Sequence, residues 1–174
     1  MKFVVSIIIC MAMSQAIVGL SFHNTENGVV VDSDDNVADI LDQLGEPQDK
    51  KITDYGHFSF ILLDYGFLKI GYSVFPGGSP EESLDFISIC DPSVTTSRGI
   101  SVGDSITNVI AEYGEPFRHD LPLAGVRDTG SLIYSYAWRP KYRDENDRTP
   151  VTEDIWFVYD TNGLIIEITV HIDV

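Results

Sequence analysis

Apolar residues recur along this chain with two different periods. Val37, Ile40, Leu41 and Leu44 fall at i, i+3, i+4 and i+7, the stripe of a short amphipathic helix. The spacing returns at Ile106, Val109, Ile110 and Tyr113, an offset of 69 residues (37 to 106). Asp35 and Asp104 precede the stripes and are expected as N-caps. Gly45 and Gly114 follow them as C-terminal stops, and Pro47 and Pro116 bar continuation. Six other stretches are apolar runs, several of them alternating: 58–64, 67–75, 84–90, 131–138, 155–160 and 164–172. They are rich in β-branched and aromatic residues and bounded by Gly, Pro and Asp, so they predict strands. Asp64-Tyr65-Gly66 and Asp160-Thr161-Asn162-Gly163 predict tight turns between antiparallel neighbours. The stretch from Arg139 to Glu153 predicts a long exposed hairpin loop.

Helix followed by strands, twice, predicts an α+β fold of two tandem repeats. Each is a short helical segment followed by a small antiparallel β-meander. The first repeat would span 29–92, the second 98–174, with 93–97 as junction. A length of 174 residues fits one domain or two small ones.

Alternation assigns faces within the strands. Leu164, Ile166, Ile168, Val170 and Ile172 share one side and are expected in the core, with Ile165, Glu167, Thr169 and His171 outward. Leu132, Tyr134, Tyr136 and Trp138 share a side of their strand, which is either core or a binding surface. Trp156 is out of phase with Ile155 and Phe157, which marks it for the outward face and for partner contact. Tyr134, Tyr136, Trp138 and Trp156 are therefore the candidate binding residues.

Residues 1–21 read as a secretory signal peptide. Lys2 supplies the charge and 3–12 the apolar segment. Ser14-Gln15-Ala16 permits cleavage after 16; a cut near 21 is the alternative. Secreted or periplasmic location follows. Cys10 lies in this segment and is the alternative lipidation site, although Ile7-Ile8-Ile9 before it matches that processing poorly. Cys90 would then be the only cysteine of the mature chain, expected as a small buried hydrophobe.

A hydrophobic content of 44% is enough for a packed core. Net charge −16, from 27 acidic against 11 basic residues, excludes a nucleic-acid binder and disfavours an anionic membrane surface. It points to a protein partner with a basic surface, and to a membrane only if Cys10 is lipidated.

Catalytic and metal motifs are missing. His23, His57, His119 and His171 stand alone, and no G-x-S-x-G elbow, P-loop or dinucleotide fingerprint occurs. Asp32-Ser33-Asp34-Asp35-Asn36 begins like a calcium loop, but Val37 stands where its glycine belongs and Gln43 where its bidentate Glu belongs. The acidic cluster suits a helix N-terminus instead. No cofactor, metal or catalytic residue is expected.

The second half resembles a known superfamily: the tandem-repeat β-lactamase inhibitory protein (BLIP) fold and the related SmpA/OmlA-type outer-membrane lipoproteins. Its helical signature is matched by Gly103, Ser105, Val109, Tyr113, Gly114 and Pro116. Its strand pattern is matched by Tyr134, Tyr136 and Trp138, then by Trp156-Phe157, Tyr159-Asp160, Asn162-Gly163, Ile165 and Ile168. The first half departs, with Asp34 for the glycine, Asn36 for Ser/Thr and no Trp. The resemblance covers roughly 30–172 and its motifs are structural. It implies a secreted or periplasmic, non-enzymatic protein-binding module. An envelope-assembly lipoprotein is the second reading. A hydrolase whose site assembles only in three dimensions is the third. No contact residue of the inhibitor carries over.

Overall fold

The structure, a computed structural model, describes residues 20–77, 84–122, 127–138 and 151–173. Most of the expected signal segment, Cys10 and residues 139–150 of the expected loop lie outside them. The chain opens with β1 (Ser21–Asn24), β2 (Val30–Asp32) and α1 (Val37–Leu44). Four strands follow: β3 (Asp49–Asp54), β4 (Ser59–Asp64), β5 (Leu68–Val74) and β6 (Leu84–Ile89). Then come β7 (Val94–Thr96), α2 (Ile106–Tyr113), β8 (Arg118–Asp120), β9 (Gly130–Trp138), β10 (Val151–Tyr159) and β11 (Ile165–Asp173).

Strands dominate, and the expected α+β class of helix-plus-small-meander repeats is overturned. One antiparallel sheet of eight strands runs β3-β4-β5-β6-β11-β10-β9-β8; a second of three runs β2-β1-β7. The physical reason is the pairing of β6 with β11, from Ile89 opposite Ile168 to Phe86 opposite His171. It satisfies two edges at once and leaves one continuous sheet, with two-turn helices as accessories.

Both helices occupy the predicted residues, but their caps differ from expectation. Asn36 and Ser105 are the N-caps, accepting from the amides of Asp39 and Asn108. Asp35 and Asp104 act one residue earlier and close the preceding turns, accepting from the amides of Asp32 and Ser101. Gly45 and Gly114 end the helices at φ 71° and 82°, a region that favours glycine. A tyrosine locks each end from the sheet: Tyr65 donates to the Gly45 carbonyl (3.1 Å) and Tyr134 to that of Gly114 (2.9 Å).

The core lies between the helices and one face of the large sheet. Leu63, Ile70, Ile87, Val170, Ile155 and Tyr134 form a cross-strand row on that face, all buried. Tyr113 of α2 packs on Tyr134 and Phe157 with ring centroids 5.3 and 4.9 Å apart.

Alternation in β11 fails at its start. A bulge between Val158 and Tyr159 sets Tyr159 opposite Ile165 and Val158 opposite Glu167, leaving Ile166 as the extra residue. Ile165 is consequently buried (1% exposed), whereas Leu164 and Ile166 are exposed (43% and 42%). Ile168, Val170 and Ile172 are buried as expected. Glu153, assigned to an exposed loop by composition, is a buried residue of β10 in phase with Ile155 and Phe157. Cys90 is exposed rather than buried, because it falls in phase with Phe86 and Ser88 and opposite the buried Ile87 and Ile89.

Candidate functional site on the open sheet face

The face of the large sheet away from the helices carries two further cross-strand rows. One reads Leu62, Gly71, Phe86, His171, Asp154 and Ser135. The next reads Asp64, Lys69, Ser88, Thr169, Trp156, Ile133 and Arg118. Ser88 and Thr169 are small, and they sit at the middle of the sheet between Lys69 on β5 and Trp156 on β10. Small floor residues between large ones make a groove of about 490 Å³, lined only by residues of this face.

Aromatic rings form one wall. Trp156 lies 5.0 Å from His171, His171 lies 6.4 Å from Phe86, and Phe86 stacks on Phe60 at 6.0 Å. Gly71 admits this packing: a Cβ there would lie 2.2 Å from the Phe86 ring, an impossible approach. The Trp156 indole N–H is buried and has no hydrogen-bond partner among the described residues. Polar groups converge at the other end. Glu167 Oε1 accepts from Ser88 (2.6 Å) and Thr169 (3.0 Å), and Ser88 Oγ lies 4.0 Å from Cys90 Sγ. Farther along the face, Ser73 donates to Asp85 and Ser135 to Asp154, both at 2.6 Å. Burial pushes the Asp85 carboxyl up, and the Ser73 hydroxyl partly offsets it.

Of the candidate binding residues whose side chains are described, Trp156 lines this groove and Tyr134 does not. Tyr134 lies on the opposite face, 4% exposed, held under α2 by its bond to Gly114. Tyr136 and Trp138 belong to β9 and pair with Glu153 and Val151 of β10. Alternation turns Glu167, Thr169 and His171 outward without marking them as binding residues, and Phe86 and Ser88 carry no signal of their own. Their shared signal is position: they alternate with buried Ile87, Ile89, Ile168 and Val170. What brings them together is the β6–β11 register, which joins distant parts of the chain and which periodicity does not contain.

One acidic cluster lies elsewhere. Single carboxylate oxygens of Asp32, Asp34 and Asp35 come within 4.8 Å of one another. Asp35 is engaged in closing the turn before α1. Behind the cluster stands Glu153, 1% exposed, its pKa raised to about 7. Burial is the main cause and the charge of Asp34 adds to it, against the Ser33 hydroxyl and the Leu20 amide. The Ser33 hydroxyl stands near enough to this carboxyl to favour its charge but outside full hydrogen-bond geometry, and Glu153 Oε1 has no partner among the described residues.

No family model and no curated protein matches this chain. Two solved structures are similar to it at low identity. One is YjgB from Bacillus subtilis, a DUF4309 family protein, with 14% identity, 78% of this chain and 77% of that one covered, and a TM-score of 0.38. The other is a proposed beta-lactamase inhibitor protein from Streptococcus mutans, with 13% identity, 88% and 90% covered, and a TM-score of 0.28.

Proposed function

We propose that this chain is an exported, non-enzymatic protein-binding module of BLIP-like kind that engages its partner through the open face of the large sheet. The observation that carries the reading is the groove: Trp156 and Phe86 stand half-buried in it on the sheet face opposite both helices. A half-buried Trp beside a second aromatic is the type of residue that dominates binding energy once desolvated. Export follows from the pattern of the first residues, and a cut after Ala16 would leave Leu20 and β1 in place. Leu20 matters to the fold, since its carbonyl accepts from the Ser33 amide (2.9 Å).

The test begins with the mature chain immobilised and the secreted and envelope proteins of its own source passed over it. Once a partner is identified, Trp156→Ala should weaken binding by about tenfold or more, with unchanged circular dichroism. Equal affinity of the parent and this variant rules out the open face as the interface.

A further inference from the structure

We propose that the groove is a slot for one basic side chain, arginine or lysine, projected by the partner protein. This rests on the reading of the open face as the binding surface and adds what that surface selects. Trp156 and Phe86 line the groove, and an aromatic ring attracts a desolvated cation within about 6 Å of its centroid. Glu167 supplies the negative charge at the far end of the same groove. Ser88 and Thr169 both donate to its Oε1, which fixes the carboxylate and leaves Oε2 for an incoming donor. The cation already present, Lys69, lies 3.6 Å from Asp64 on its other side. Ser88 and Thr169 keep the floor low enough for a long side chain to lie between the aromatic wall and Glu167. Elsewhere on the face Asp49, Asp85, Asp120 and Asp154 outnumber Lys51 and Arg118, so the rim also favours a cationic visitor.

The slot is tested with defined probes and the full mature chain. Acetyl-arginine amide and its uncharged isostere acetyl-citrulline amide are titrated in turn, following the Trp156 indole N–H resonance, assigned with Trp156→Phe. The arginine probe should bind saturably with a Kd of order millimolar, about tenfold tighter than citrulline. Glu167→Gln keeps the acceptor for Ser88 and Thr169 but removes the charge, and should abolish that preference. No response, equal response to both probes, or a preference surviving in Glu167→Gln overturns the slot. Failure of the slot is separable from failure of the broader reading. A partner lost with Trp156→Ala but indifferent to Glu167→Gln removes only the slot, whereas a partner indifferent to Trp156→Ala removes both.

Discussion

At the scale of single residues, Glu153 makes the sharpest demand on solution behaviour. A carboxyl held near pKa 7 in the folded chain against 4.5 as its ordinary value binds its proton more tightly folded than unfolded. Its contribution to stability is complete below about pH 4.5, falls as pH rises through the interval to about 7, and is gone above it. The interval corresponds to about 3 kcal/mol. Glu153→Gln should therefore match the parent at about pH 4 and exceed its stability by up to about 3 kcal/mol at about pH 8. Urea denaturation at both values decides; a variant no more stable at the alkaline value sinks the account. Sequence places the residue in a loop for an identifiable reason. Charged neighbours from Arg139 to Arg148 suggest a solvated loop, and that composition masks the alternation placing Glu153 in phase with Ile155 and Phe157. The same alternation does put Trp156 on the outward face, because Ile155 and Phe157 on either side of it are both strongly apolar.

At the scale of elements, the helices were legible residue by residue and their caps were not. An eight-residue helix is too short to persist alone, so its ends must be held from outside. Asn36 and Ser105 hold the N-termini, and Tyr65 and Tyr134 hold the C-termini through the carbonyls of Gly45 and Gly114. Asn36→Ala and Ser105→Ala should each cost about 1 kcal/mol. Tyr134→Phe, which keeps the ring packed on Tyr113 and Phe157, should cost about the same through the lost bond alone. Thermal denaturation of the three variants measures this, and a Tyr134→Phe chain as stable as the parent would show that the helix end needs no lock. Asp35 and Asp104 look like caps in sequence because acidic residues suit that position. The structure gives them the turn one residue earlier, a distinction set by backbone angles rather than residue type. The bulge in β11 escapes alternation similarly: three consecutive apolar residues, Leu164 to Ile166, offer no phase until a partner strand supplies one.

At the scale of the whole molecule, the question is how the two four-stranded groups became one sheet. Neither group's composition announces that its last strand will pair with the other's. Ile87 and Ile89 on β6, and Ile168 and Val170 on β11, are fully buried on the helix-bearing side of the seam. Ser88 and Thr169 on the other side form the floor of the groove. The same four-residue register thus joins the core and creates the candidate site. A half of this chain standing alone would expose that row of isoleucines and a strand edge together, and a unit of that size buries too little surface to be robust. The chain should accordingly unfold in one step, with tryptophan fluorescence and far-ultraviolet circular dichroism following the same urea curve. Ile87→Ala, at the centre of the seam, should lower the midpoint by the equivalent of about 2–4 kcal/mol and leave the transition single. A transition that splits in two in the parent would mean that the seam joins independently stable units. In that case loss of the Ile87 side chain should separate the two steps further. A single curve that merely shifts would tie the groove to global stability, because its floor cannot open without breaking the core beneath it.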